Sequence, residues 1–335
     1  LFERLMAKIG VGSAKVDLVL DRREWRLGEM ATGYLQVVPG KVDQQVDQIY
    51  VYLNVIYVDG DHRHDVRVQS VNYPGMLLRA GGEAMRLPFS MMIPAHLPIT
   101  RPGVSFYFSS GLDIDQAIDP SDRDAITVYP SVPMETVLRA LGSLGFVEKR
   151  FSAELERKGQ ELEFYAQGPL SSYVKELDVV FMHEPEGLRL YIEVERRVGG
   201  LGGLLMESLD LNEQRSQLWF PYAQLSAGTD EEIQAVAQAI YDHLRRFNGQ
   251  LPVGAVTQVI PYGQAPMGYP QGMGHHSHKK HHHGGMGGAM TGFLGGMVAG
   301  SVIDDMMSDD GADDGGFDSG DDGGFDDGGD GGDWF

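Results

Sequence analysis

Six histidines fall within nine residues in "HHSHKKHHH" (275–283). Neutral imidazoles are good ligands for Zn²⁺, Ni²⁺ or Cu²⁺, so His275, His276, His278, His281, His282 and His283 form the candidate metal-binding set. The same tract also reads as a pH-sensitive charge patch or as plain low complexity. A second group, "GLDIDQAIDPSDRD", holds Asp113, Asp115, Asp119, Asp122 and Asp124. An EF-hand loop needs a ligand at its fifth position, Gly at its sixth and Glu at its twelfth. Here those positions are Ala117, Ile118 and Asp124, so the expectation is Asp residues capping turns. In "IEVERR", Glu193 and Glu195 share one strand face, opposite Ile192 and Val194. That spacing suits a solvated or inter-domain face, with Arg189, Arg196 and Arg197 near enough to be counter-ions. His62 and His64 stand two residues apart on what reads as a polar loop.

Nucleophile motifs are missing. The run "GGLGGLL" (199–205) lacks both the Lys-Ser/Thr of a P-loop and the spacing of a dinucleotide fingerprint. Neither G-x-S-x-G nor H-E-x-x-H occurs. A metal-dependent hydrolase would need Glu193, Glu195 or the Asp113–Asp124 group to converge in a pocket. It is the least supported reading, and no cofactor is expected.

Two features suit binding better than catalysis. The final residues repeat an aromatic in an acidic Gly field, at Phe317, Phe325, Trp334 and Phe335. Charge keeps such a segment open while each ring can enter a partner's pocket. Upstream, Gly288, Gly292, Gly296 and Gly300 repeat every fourth residue, a stripe that permits close helix approach. Residues 284–303 are therefore a candidate for self-association or peripheral membrane contact. The start, "LFERLMAKIG", offers two amphipathic turns, too short to stand alone.

Composition bounds the rest. The chain has 335 residues and no Cys, which excludes disulfides and thiolate chemistry and fits a cytoplasmic protein. No apolar run reaches spanning length, and Leu1 to Ile9 lacks a secretory core. Net charge is −21, and residues 301–335 hold thirteen Asp without Lys or Arg, leaving −8 for the remainder. Nucleic-acid binding needs clustered cations, and no basic stripe is present.

The elements around these residues are mostly strands. "AKVDLVL" alternates Val16, Leu18 and Leu20, and "VDQIYVYLNVIYV" places Ile49, Val51, Leu53, Val55 and Tyr57 on one face. Gly28 and Gly33 read as turn punctuation. Seven or so strands before residue 131 predict an antiparallel β-sandwich over 1–130. "PMETVLRALGSLGF" predicts a helix with Met134, Val137, Leu138, Leu141 and Leu144 inward, and Pro133 in its first turn. "TDEEIQAVAQAIYDHLRRF" predicts another, with Thr229 and Glu232 at capping-box spacing and an inward stripe of Ile233, Val236, Ala237, Ile240, Leu244 and Phe247. With three strands between them, these predict a second sandwich-like domain over 131–249. Residues 250–335 read as a Gly-, His- and Asp-rich tail without a core of its own.

"IGVGSAKVDLVLDRREWRLGEMATGYLQVVPGKVDQQVDQIYVYL", "GLDIDQAIDPSDRDAITVYPS", "PMETVLRALGSLGF" and "LYIEVERRVGG" occur in an order that resembles the stage-zero sporulation-control protein M family. The resemblance spans about 250 residues. It implies a mainly β, arrestin-like fold of two tandem β-sandwich domains, the second with two helices. It also implies a non-enzymatic cytoplasmic regulator that acts through protein partners in sporulation, cell division or the cytoskeleton. A homodimer is compatible with it. The alternative is a membrane-peripheral scaffold using residues 284–303.

Overall fold

The computed structural model describes residues 12–114, 121–150, 154–156, 159–197 and 213–247. The first half holds two sheets. Strands β1 (Lys15–Leu20), β3 (Met30–Val38) and β6 (Met85–Met92) make a three-stranded antiparallel sheet in the order β1-β3-β6. Strands β2 (Glu24–Arg26), β4 (Gln44–Asp59), β5 (His62–Leu78), β7 (Val104–Ile114) and β8 (Ser121–Tyr129) make the other, in the order β2-β8-β7-β4-β5. Only β2, which pairs with β8, is parallel to its neighbour there.

The alternation in β4 does what its period predicts. Ile49, Val51, Leu53 and Val55 are fully buried, while Tyr50 and Tyr52 face outward and stack on each other. Across the core, Phe89 of the small sheet meets Phe108 of the large one edge to face at 5.3 Å. A two-residue turn, Gly60-Asp61, joins β4 to β5, and Gly60 takes the positive φ (58°) that such a turn requires. Gly33 departs from its expected role. It lies inside β3, opposite Leu20, and a Cβ there would meet the Val19 carbonyl oxygen at 2.2 Å. The glycine serves close strand approach, and only Gly28 (φ 82°) is a turn residue.

The second half is built on one antiparallel sheet. Its path is β10 (Glu154–Glu156), β11 (Gly159–Ala166), β12 (Val174–Glu184), β13 (Gly187–Arg196) and β14 (Glu213–Pro221), with β9 (Phe146–Glu148) also on β11. Two helices, α1 (Val132–Ser143) and α2 (Asp230–Phe247), supply its second layer and pack on each other. The Ser131 hydroxyl caps α1 by accepting the Met134 N–H at 3.3 Å. Thr229 caps α2 by accepting from the Glu232 N–H at 3.2 Å. Glu232 reaches back past the cap itself, accepting from the N–H groups of Gly228 (2.6 Å) and Ala227. Ile233, Val236, Ala237, Ile240 and Leu244 are buried as the period predicts. A continuous apolar core runs from Ala14 through both halves to Leu244. The fold is mainly β and arrestin-like.

Candidate functional site

The two halves meet at a joint held by side chains from both. The Gln160 carboxamide of β11 accepts from the Ile99 N–H at 2.8 Å and donates to the Ile99 carbonyl at 3.0 Å. Both groups are buried, so water cannot replace these bonds. Arg101 grips Glu148 of β9 with two hydrogen bonds, 2.7 and 3.1 Å, in the bidentate geometry that guanidinium and carboxylate favour. Arg26 of β2 adds a third latch, donating to the Pro130 carbonyl at 3.0 Å and to the Glu135 carboxylate at the start of α1.

Between the latches lies a cavity of about 300 Å³. Leu27, Ala95, His96, Leu97 and Pro98 line it from the first half, and Met134, Gly159, Gln160, Phe181, Met182 and His183 from the second. His183 shares the inward face of β12 with Leu177 and Val179. Its Nε2 lies 3.2 Å from the Ser131 hydroxyl and its Nδ1 2.9 Å from the Tyr222 hydroxyl. Burial first, and the facing His96 second, push its pKa down to about 4. The ring is therefore neutral at pH 7, with one nitrogen donating and the other accepting.

The opposite, outward face of this sheet carries carboxyls side by side. Cross-strand register aligns Glu163, Asp178, Glu193 and Arg215. Lys149 closes the other end of the row, bonded to Glu163 at 2.8 Å and to Glu176. Arg215 holds Glu193 bidentately, and Lys175 holds Glu195 at 2.6 Å. Asp178 stands amid this acidity, and its buried Oδ1 has no hydrogen-bond partner among the described residues. Burial, then the charges of Glu176, Glu161 and Glu163, raise its pKa to about 9, so the group is a neutral acid. Burial works against the Lys149 charge, but its hydrogen bonds to Glu163 and Glu176 outweigh that and raise its pKa.

A second carboxyl cluster sits at one end of the first half. Asp17 of β1 and Asp122 and Asp124 of β8 bring oxygens within 4.8 Å of one another. Arg23 pairs with Asp124 at 2.9 Å. Burial, then the hydrogen bond and charge of Asp122, raise the Asp124 pKa to about 6. Oxygen sets of this kind and that of Glu163, Glu176 and Asp178 suit hard divalent cations. In the latter, however, the Lys149 ammonium already occupies the cation's place.

The sequence-level candidates are distributed as follows. The histidine set (His275, His276, His278, His281, His282, His283), the aromatics Phe317, Phe325, Trp334 and Phe335, the glycine stripe of 284–303, the 199–205 run and the first eleven residues lie outside the described residues. So do Asp115 and Asp119. Asp122 and Asp124 come together, while Asp113 is exposed on β7. His62 and His64 begin strand β5 instead of lying in a loop, and His64 stacks on Tyr57 at 4.8 Å. Glu193 and Glu195 face outward as expected, but Arg189 is held by Glu184. Their identified partners, Arg215 and Lys175, come from neighbouring strands. Sequence reading missed His183, Gln160, Lys149, Asp178 and Asp17. A signal existed for His183 alone, because period two in "LDVVFMH" puts it on the core face. Among the described residues, no helix is long and apolar enough to cross a membrane.

Residues 2–198 match a family model described as "SpoOM protein". The chain is 33% identical over 256 residues to the sporulation-control protein spo0M of Bacillus subtilis (strain 168), covering 72% of this chain and 97% of that protein. It is also similar to the crystal structure of Spo0M from Bacillus subtilis. There the TM-score is 0.58 and the identity 27%, over 71% of this chain and 100% of that one.

Proposed function

The chain belongs to the SpoOM protein family, and from that premise we propose that it is a regulator of the sporulation-control kind. It acts by binding other proteins in the cytosol and performs no chemistry of its own. The observation that carries this reading is the edge of the five-stranded sheet. Strand β5 runs for 17 residues, and among the described residues it has β4 on one side and nothing paired on the other. Such an edge presents a row of backbone donors and acceptors to which an extended segment can add as a further strand. Val58 and Leu77, 50% and 46% exposed, stand at opposite ends of the β4–β5 pair as apolar contacts for that segment. Arg63, Arg67 and Pro74 punctuate the edge, and charge and proline are the usual guards against indiscriminate pairing. The latched joint supports the same reading, since it holds both halves as one body for a partner to read.

The test uses the full chain and a Val58→Lys/Leu77→Lys variant as bait in a native lysate. Exposed substitutions of this kind change stability by about 0.5 kcal/mol or less, so the fold survives. Proteins captured by the parent and lost by the variant are the expected result. Equal capture by both would remove the edge from the mechanism. Expression in Bacillus subtilis lacking its own Spo0M tests the regulatory role. A sporulation frequency that the full chain leaves unchanged would count against it.

A further inference from the structure

The outward face of the five-stranded sheet gathers arginines without acidic partners. Arg22, Arg79, Arg101 and Arg189 each hold a carboxylate elsewhere. On this face Arg67 instead lies over the Tyr52 ring at 3.5 Å, and Arg123 over the Tyr107 ring at 4.8 Å. Neither has a carboxylate within ion-pair distance among the described residues. The arrangement is reciprocal. Arg67 shares a cross-strand row with Asn54 and Tyr107, and Arg123 shares the next row with Ser109 and Tyr52. Each arginine therefore leans onto the tyrosine of the other's row, and the Asn54 amide ties the rows together by donating to the Ser109 hydroxyl at 3.0 Å. Diagonal neighbours of this kind stand roughly 7–8 Å apart. The nearest acid on β5, Asp65, stands one row beyond Arg67, opposite Ile56, and accepts from the Tyr107 hydroxyl at 2.8 and 2.9 Å.

A guanidinium stacked on a ring keeps its in-plane N–H groups free for a carboxylate and loses little freedom when one arrives. The face thus offers two oriented anion contacts beside the stacked rings of Tyr50 and Tyr52. The chain itself contains the matching ligand. Residues 301–335 hold thirteen Asp and no cation, with Phe317, Phe325 and Trp334 each next to an Asp. Covalent attachment gives that segment an effective concentration on the order of millimolar, which a separate acidic protein rarely reaches.

We propose that the Asp-rich segment 309–335 binds back onto this face of the same chain, its carboxylates on Arg67 and Arg123 and its rings against Tyr50 and Tyr52. Docked there, it shields the surface beside β5, and any acidic partner must displace it. Charge complementarity carries the assignment and makes it sensitive to salt, because the contacts are at the surface.

The absence of Cys allows clean labelling of the full chain. Donor and acceptor dyes are placed on Ser121→Cys, at the rim of the face, and Ser319→Cys in the acidic segment. Energy transfer is read at low salt and at about 0.5 M NaCl, where screening confines such attraction to a few ångström. Transfer is expected to fall at least twofold on adding salt, and as far at low salt in Arg67→Glu/Arg123→Glu. The same fall is expected when every Asp from 309 to 335 is Asn, a change that leaves residues 12–247 untouched. This second variant decides the matter if the first does not fold. Transfer indifferent to salt and to the Asn variant overturns the proposal. So does transfer abolished by a tenfold excess of unlabelled protein, which would mean contact between copies.

Discussion

The Gln160 side chain and the Ile99 backbone form a two-bond pair of the kind strands make, although they belong to different halves of the molecule. A side chain thereby extends the hydrogen bonding of one half into the other. Replacing it with Leu leaves a buried N–H and C=O without partners, at about 1–3 kcal/mol each. Gln160→Leu is expected to lower the unfolding midpoint in urea by more than any exposed substitution. An unchanged midpoint would mean that the joint contributes nothing to stability.

The second latch is measured by a cycle. Arg101 and Glu148 are each about one-fifth exposed, so their pairing is less screened than a surface bridge. Arg101→Ala and Glu148→Ala are each expected to cost roughly 1.5–3 kcal/mol, and the double variant clearly less than the sum. Additive losses would show that the pair does not couple.

Asp178 links the acidic row to pH. Its folded pKa, about 9, lies above that of an unfolded Asp, so between those values the folded protein holds a proton that the unfolded chain has released. Stability from this group is therefore full below pH 4 and declines as pH rises towards 9. Asp178→Asn removes the decline. The variant is expected to be more stable than the parent at pH 8, by at least about 1 kcal/mol, and to approach it near pH 5. Urea melts of both proteins across pH 5–8 check this, and parallel curves would refute a neutral Asp178.

Much of this architecture is written in local sequence, and the chemistry mostly is not. Strand β4 is legible because Ile49, Val51, Leu53 and Val55 alternate without interruption, and α2 because Thr229 and Glu232 announce its start. Gly33 misleads because a glycine between polar residues looks the same in a turn and in a crowded strand. Its Cβ problem arises only against Val19 of another strand. The carboxyl clusters fail for the same reason. Asp17 meets Asp122 and Asp124 across two sheets, and Lys149 reaches Glu163 and Glu176 on neighbouring strands, so no spacing along the chain reports either contact.

Gly33 itself yields a prediction. In Gly33→Ala the new methyl must displace the Val19 carbonyl, which is backbone and cannot rotate away. The β1–β3 pairing has to part locally, at a cost expected to exceed about 2 kcal/mol. Gly60→Ala should cost less: nothing lies within 4 Å of its Cβ, and the strain is that of φ alone. Hydrogen exchange at the amides of β1 and β3 distinguishes the two. It should accelerate in the first variant and stay unchanged in the second.

The last prediction concerns His183, where the sign is opposite to that of Asp178. Its folded pKa of about 4 lies below the value of about 6.5 expected when unfolded. As pH falls through that window the unfolded chain takes up a proton that the folded joint refuses. Stability is thus full above pH 6.5 and is lost towards pH 4, by up to about 1.4 kcal/mol per pH unit. Protonation would also require both ring nitrogens to donate, so the Ser131 and Tyr222 hydroxyls must both act as acceptors. His183→Gln keeps a polar group in the cavity and removes the titration. Between pH 6.5 and 4.5 its unfolding free energy should fall less steeply than the parent's. Equal slopes would place the acid sensitivity at other groups, with Asp124, whose proton uptake works in the contrary direction, excluded as their source.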